Sequence, residues 1–220
     1  MDQPSFFSVF KNIQARFLAI ATIFSFLLFA TPVFAHHPMG GGTPSNLFEG
    51  FMSGLAHPII GFDHFAFIVS VGLVAALKPQ GILIPIGFLL SAMVGTGLHL
   101  MGVNLPAVEL MVSGSVVLFG ALIVIKNNPK TFVIIALATL AGLFHGYAYG
   151  EAIFGAQMTP LLSYLVGFTV IQMVVAGSAY AIAKKFLDAA NMRSAGFMIC
   201  GAGLAFTSAQ VVNLIFPLPK

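Results

Sequence analysis

The sequence predicts an all-α fold, a polytopic membrane bundle of six transmembrane helices preceded by a cleaved N-terminal signal peptide. Three observations lead there. Of the 220 residues, 59% are hydrophobic and only 7% charged, with a mean hydropathy of +1.02, whereas soluble domains carry about 25% charged residues. The apolar residues fall in runs of about twenty or more between charges, prolines and asparagines, and that length lets a helix cross a bilayer. The runs lack the alternation of barrel strands, and helices satisfy their own backbone groups in lipid.

Other classes are excluded on the same grounds. The formal charge of +3 is spread over too few side chains to build a basic face, so no nucleic-acid partner is expected, and the basic excess is read as membrane topology. The single cysteine, Cys200, lies in an apolar run; it is expected to be a structural thiol, because one cysteine supports neither a disulfide framework nor a CxxC site.

Residues 1–35 read as an export signal. Lys11 and Arg16 precede the apolar run FLAIATIFSFLLFA, and Val33 and Ala35 occupy the small-residue positions of a cleavage site. The alternative is an uncleaved first helix, for which the run is short. Cleavage after Ala35 would expose the α-amine and imidazole of His36 beside His37, a chelating pair suited to nickel, cobalt or copper. Residues 36–48 then form a flexible His/Gly-rich extracytoplasmic tether, and 49–220 the transmembrane domain.

The six spans are expected near 49–77, 81–102, 105–125, 131–155, 160–183 and 193–216. Lys78 follows the first, Lys126 and Lys130 the third, and Lys184, Lys185 and Arg193 the fifth, while the loops MGVN and GAQMTP hold no basic residue. Alternate loops are thus expected on the cytoplasmic side of a bacterial inner membrane, with both mature termini outside. Only Lys220 opposes that orientation.

This topology gathers His57, Asp63, His64, His99, Glu109, His145 and Glu151 into the outer half of the membrane. The inner half offers only groups such as Ser91, Gln172 and Ser178. His57 and His64, seven apart, would share one helix face with their Cα atoms about 10 Å apart along the axis, unless Pro58 bends the helix. His145 and Tyr149 are one turn apart, and Glu151 points elsewhere. A charge near the bilayer centre costs about 3 kcal/mol or more and marks a functional site. Histidine with carboxylate suits divalent first-row metals. The glycine repeats Gly50/Gly54 and Gly142/Gly146/Gly150 are expected to let helices approach closely and to bring His145 toward the first span. No G-x-x-x-x-G-K-[ST] motif occurs, so neither a nucleotide cofactor nor ATP hydrolysis by this chain is expected.

These residues support three readings: a secondary transporter importing a divalent metal, a membrane-embedded metal-dependent hydrolase, and a metal-binding protein that moves nothing. HPIIGFDHFAF resembles the H-P-x-x-G-x-D-H-x-x-F signature of the HupE/UreJ family, and FHGYAYGE its H-G-x-A-x-G-x-E segment. The resemblance implies a nickel or cobalt permease rather than an enzyme, supplying hydrogenase or urease maturation indirectly. By that resemblance His57, Asp63 and His64 carry the first-helix metal motif, and His145 and Glu151 the fourth-helix one. Many relatives have histidine where this chain has Tyr149.

Overall fold

A computed structural model describes residues 42–216; the expected export signal of residues 1–35, His36 and His37 lie outside the described residues. Among those described there is no strand, and the helices are α1 (Leu47–Ile60), α2 (Phe62–Ala76), α3 (Leu83–Leu100), α4 (Val108–Val124), α5 (Thr131–Glu151), α6 (Met158–Phe186) and α7 (Ala189–Ile215). The polytopic helical bundle is therefore observed. Helices α3, α5, α6 and α7 are long and apolar enough to cross a membrane, and α1 with α2 forms a further, bent candidate. Helix α4 has 17 residues, about 25 Å at 1.5 Å per residue, the short limit for a span.

The first expected span is not one helix. It breaks at Gly61, whose extended backbone (φ −72°, ψ 96°) separates α1 from α2 at a bend of 80°. Pro58 sits inside α1, which continues to Ile60, so the break comes three residues after the proline. Sequence periodicity is blind to such a bend because both halves stay apolar. At the other end of α1, Asn46 Oδ1 accepts from Glu49 N at 2.9 Å, and Glu49 Oε2 accepts from Ser45 N at 2.8 Å. The Asn46 cap, with Glu49 holding the residue before it, fixes where the helix begins.

Helix α2 is the hub, packing against α1, α3, α4, α6 and α7. Phe67, Ile68, Val71, Val74 and Ala75 along it are fully buried. Helix α6, 29 residues long, runs beside both halves of the broken pair. Gly50 and Gly54 let α1 settle on it, at Pro160 and Ser163 and at Tyr164 and Phe168. Helix α4 packs on α7, and α3 on α5. That last seam corrects an expectation. Gly142, Gly146 and Gly150 close on Phe88, Ala92 and His99 of α3, not on the first span. His145, one position from the stripe, does lie against the first span as expected, its Nδ1 2.7 Å from Nδ1 of His64. Large apolar side chains such as Leu90, Leu162, Phe197 and Leu204 remain outside, as a lipid-facing periphery requires.

All Lys and Arg of the described residues (Lys78, Lys126, Lys130, Lys184, Lys185 and Arg193) fall at one end of the bundle, and the histidines lie toward the other. Thr43 Oγ1 reaches Phe154 O at 3.5 Å, so the chain enters at the histidine end, beside the α5–α6 turn.

Candidate metal centre

The break at Gly61 builds the site. It leaves His57 in the last turn of α1 and Asp63 and His64 in the first turn of α2. The imidazole centroids of His57 and His64 come within 5.9 Å, closer than two turns of a straight helix would put their backbones. A side chain at Gly61 would meet His64 Cδ2 at 2.7 Å, so glycine there makes room for the imidazole as well as for the bend. Asp63 and His64 are each 6% exposed. Asp63 Oδ1 accepts from His64 N at 2.8 Å, and a carboxylate is favourably placed at a helix N-terminus.

Helix α5 adds His145 and Tyr149, both fully buried. Nδ1 of His64 lies 2.7 Å from Nδ1 of His145. The Tyr149 ring stands 4.6 Å from His64 and 5.2 Å from His57 between centroids. Its hydroxyl is buried without a hydrogen-bond partner, an orphaned polar group that an additional polar ligand would satisfy.

Helix α4 supplies a residue the sequence did not single out. Ser115 Oγ donates to Val112 O at 2.6 Å and lies 2.9 Å from His145 Nε2. With the Ser115 hydroxyl proton on Val112 O, Ser115 accepts toward the imidazole, and that arrangement puts the His145 proton on Nε2. Nδ1 of His145 then bears a lone pair and accepts from His64 Nδ1. In the neutral ring of His64 the remaining lone pair falls on Nε2. In that arrangement the hydrogen-bond chain runs one way and ends on a bare imidazole nitrogen, the form that ligates a metal.

Below His145, toward the lysine end, the site is closed. Phe67 stacks on His145 at 4.2 Å and meets Phe88 at 5.3 Å and Phe119 at 4.8 Å. These three phenyl rings, from α2, α3 and α4, are fully buried and form an apolar floor.

The other expected residues stand apart from this cluster. His99 packs on Tyr147 at 4.6 Å and Phe154 at 5.8 Å, at the far end of the α3–α5 seam. Glu151, the last residue of α5, is exposed. Glu109 is exposed in the first turn of α4, 3.5 Å from Gln210 Nε2. Among the described residues, no three His, Cys, Asp or Glu side chains are arranged to hold one ion together. The physical reason is local: the Nδ1 atoms of His64 and His145 hold each other. An ion with metal–nitrogen bonds of about 2.0–2.1 Å keeps two ligand nitrogens about 3.3 Å apart at a tetrahedral angle, so this pair must open to share one.

Comparison with known proteins bears on the same residues. The chain is 28% identical over 162 residues to Protein HupE of Rhizobium leguminosarum bv. viciae, an alignment covering 71% of this chain and 84% of that protein. No solved structure matches the chain. The model of the family described as HupE / UreJ protein matches residues 24–206, a stretch that contains the broken helix, Ser115, His145 and Tyr149. The chain belongs to the HupE/UreJ family.

Proposed function

We propose that the protein is a secondary transporter that imports a divalent transition metal, nickel or cobalt, through the histidines gathered at the break between α1 and α2. The HupE/UreJ family comprises permease-like transporters associated with nickel and cobalt, not enzymes. The observation that carries the reading is the broken helix: it faces His57, Asp63 and His64 of one span with His145 and Tyr149 of another. Interrupted helices with their ends turned into the protein are how transporters present ligands at membrane depth.

In this reading His36 and His37 capture the ion outside. They lie six residues or more before Thr43, whose hydroxyl meets the α5–α6 turn, so the tether begins at the histidine end. The ion reaches Nε2 of His64 with His57, and His145 joins as the two Nδ1 atoms part. Asp63 offsets the arriving charge. Onward movement requires the floor of Phe67, Phe88 and Phe119 to open, as apolar constrictions gate pores by dewetting. His99 and Glu151 belong to the approach. With the lysine-bearing loops cytoplasmic, passage is inward and downhill, driven by the membrane potential or by protons carried on the same imidazoles. Supply of a hydrogenase or urease is the indirect consequence.

Uptake of radioactive nickel and cobalt, each alone, into proteoliposomes under an imposed potential tests this. Saturable uptake is expected from the natural chain. Asp63→Asn should lower it by about a hundredfold, the scale of roughly 3 kcal/mol for an uncompensated intramembrane charge. If the natural chain takes up neither metal above empty vesicles under any gradient, transport is refuted.

A further inference from the structure

The lysine end holds a cavity of about 800 Å³ between α2, α4, α6 and α7. Lys78, Lys126, Lys184 and Arg193 line it, against one carboxylate, Asp188. That carboxylate is already engaged: Asp188 caps α7, accepting from Asn191 N at 2.7 Å. Lys78 Nζ is anchored on Pro129 O at 2.7 Å.

Such a lining repels a divalent cation and attracts a phosphate. The apolar neighbours decide which kind of phosphate. Leu77 and Ile125, in the same wall, are 41% and 44% exposed, giving hydrocarbon surface beside the charges at one end of a membrane bundle. Free phosphate would leave that surface bare, whereas a lipid would cover it. Basic pockets between helices at a membrane face are suited to acidic lipid headgroups.

We propose that this cavity binds an anionic glycerophospholipid, its phosphodiester held among Lys78, Lys126, Lys184 and Arg193. The binding is separate from metal transport and is read without it. Thermal unfolding of the full-length, detergent-solubilised protein is followed with phosphatidylglycerol, phosphatidylcholine or inorganic phosphate. Phosphatidylglycerol alone should raise the midpoint. The double variant Lys126→Gln, Arg193→Gln should weaken its apparent affinity by about tenfold or more. Lys185→Gln, at the same end but with its ammonium over Phe186 and absent from the lining, should not. If the double variant fails to fold, native mass spectrometry of Lys126→Gln reads retained lipid instead, with less phosphatidylglycerol expected than on the natural chain. Equal stabilisation by phosphatidylcholine, or an equal loss in Lys185→Gln, would overturn the site; matching stabilisation by inorganic phosphate would reassign it to a free anion and overturn the lipid.

Discussion

The two histidine motifs use glycine in opposite ways. In HPIIGFDHFAF, Gly61 interrupts a helix and turns His57 back toward His64. In FHGYAYGE, Gly146 and Gly150 lie within a continuous helix and let it press against α3. The first motif turns its two imidazoles toward each other. The second sets a wall, and its His145 reaches His64 because it projects from the side of α5 that the glycines do not occupy. One helix supplies flexibility of arrangement and the other a fixed reference.

The wall should be the more fragile. A side chain at Gly146 would strike the backbone of Ala92, which cannot yield without moving α3. Gly146→Val is expected to cost about 3 kcal/mol or more, the upper range for overpacking, seen as loss of monodisperse protein on size exclusion. Gly97→Ala, on α3 with nothing within 4 Å of the added carbon, should be neutral and serves as the contrast. At the break, substitution acts on function instead. His64→Gln should leave the bundle folded, since its neighbours are side chains and not backbone, while nickel or cobalt uptake drops about a hundredfold through loss of the central ligand.

Next in size comes the link between the two motifs. Ser115→Ala removes the acceptor for His145 Nε2–H and frees the imidazole to exchange tautomers, so His64 no longer has a defined partner. Loss of such an outer hydrogen bond typically costs 10–100-fold in metal affinity or activity, and we expect about tenfold in uptake. Ser115→Thr keeps the hydroxyl and should retain most of it. Nitrogen-15 NMR of the imidazoles separates this from general loosening: the natural chain should show His145 as the Nε2–H tautomer, and the alanine variant a mixture.

Each segment marked by apolar length in the sequence became a helix or, for the first, a bent pair, because burial in lipid demands satisfied backbone whatever the tertiary arrangement. Asp63, His64 and His145 were legible because ionisable groups stand out against hydrocarbon. The break at Gly61 was not, since hydrophobicity continues across it and Pro58 was the more conspicuous distorter. Ser115 left no trace either; a serine in an apolar span is as often bonded to its own helix, and Ser70 and Ser91 are so bonded. The glycine stripe announced a close contact, but periodicity does not name the partner, and the partner proved to be α3. His99 looked equivalent to the other histidines because depth along a helix can be counted, whereas the direction of its ring, toward Tyr147 and Phe154, depends on how α3 and α5 rotate against each other.

The smallest effect should separate the two carboxylates of the motifs. Asp63 is buried beside His64, whereas Glu151 is exposed at the end of α5. An exposed charge acts on an arriving cation through the surface potential, and at 1 M salt the screening length falls to about 3 Å. Glu151→Gln should therefore lower uptake by only about twofold at low ionic strength, and raising the salt should erase the difference. The Asp63→Asn defect should persist at every salt concentration, because water and counter-ions do not reach a side chain packed at the break. An equally deep, salt-resistant loss in Glu151→Gln would mean that the end of α5 folds inward to ligate the ion, and the fixed wall would then have to move.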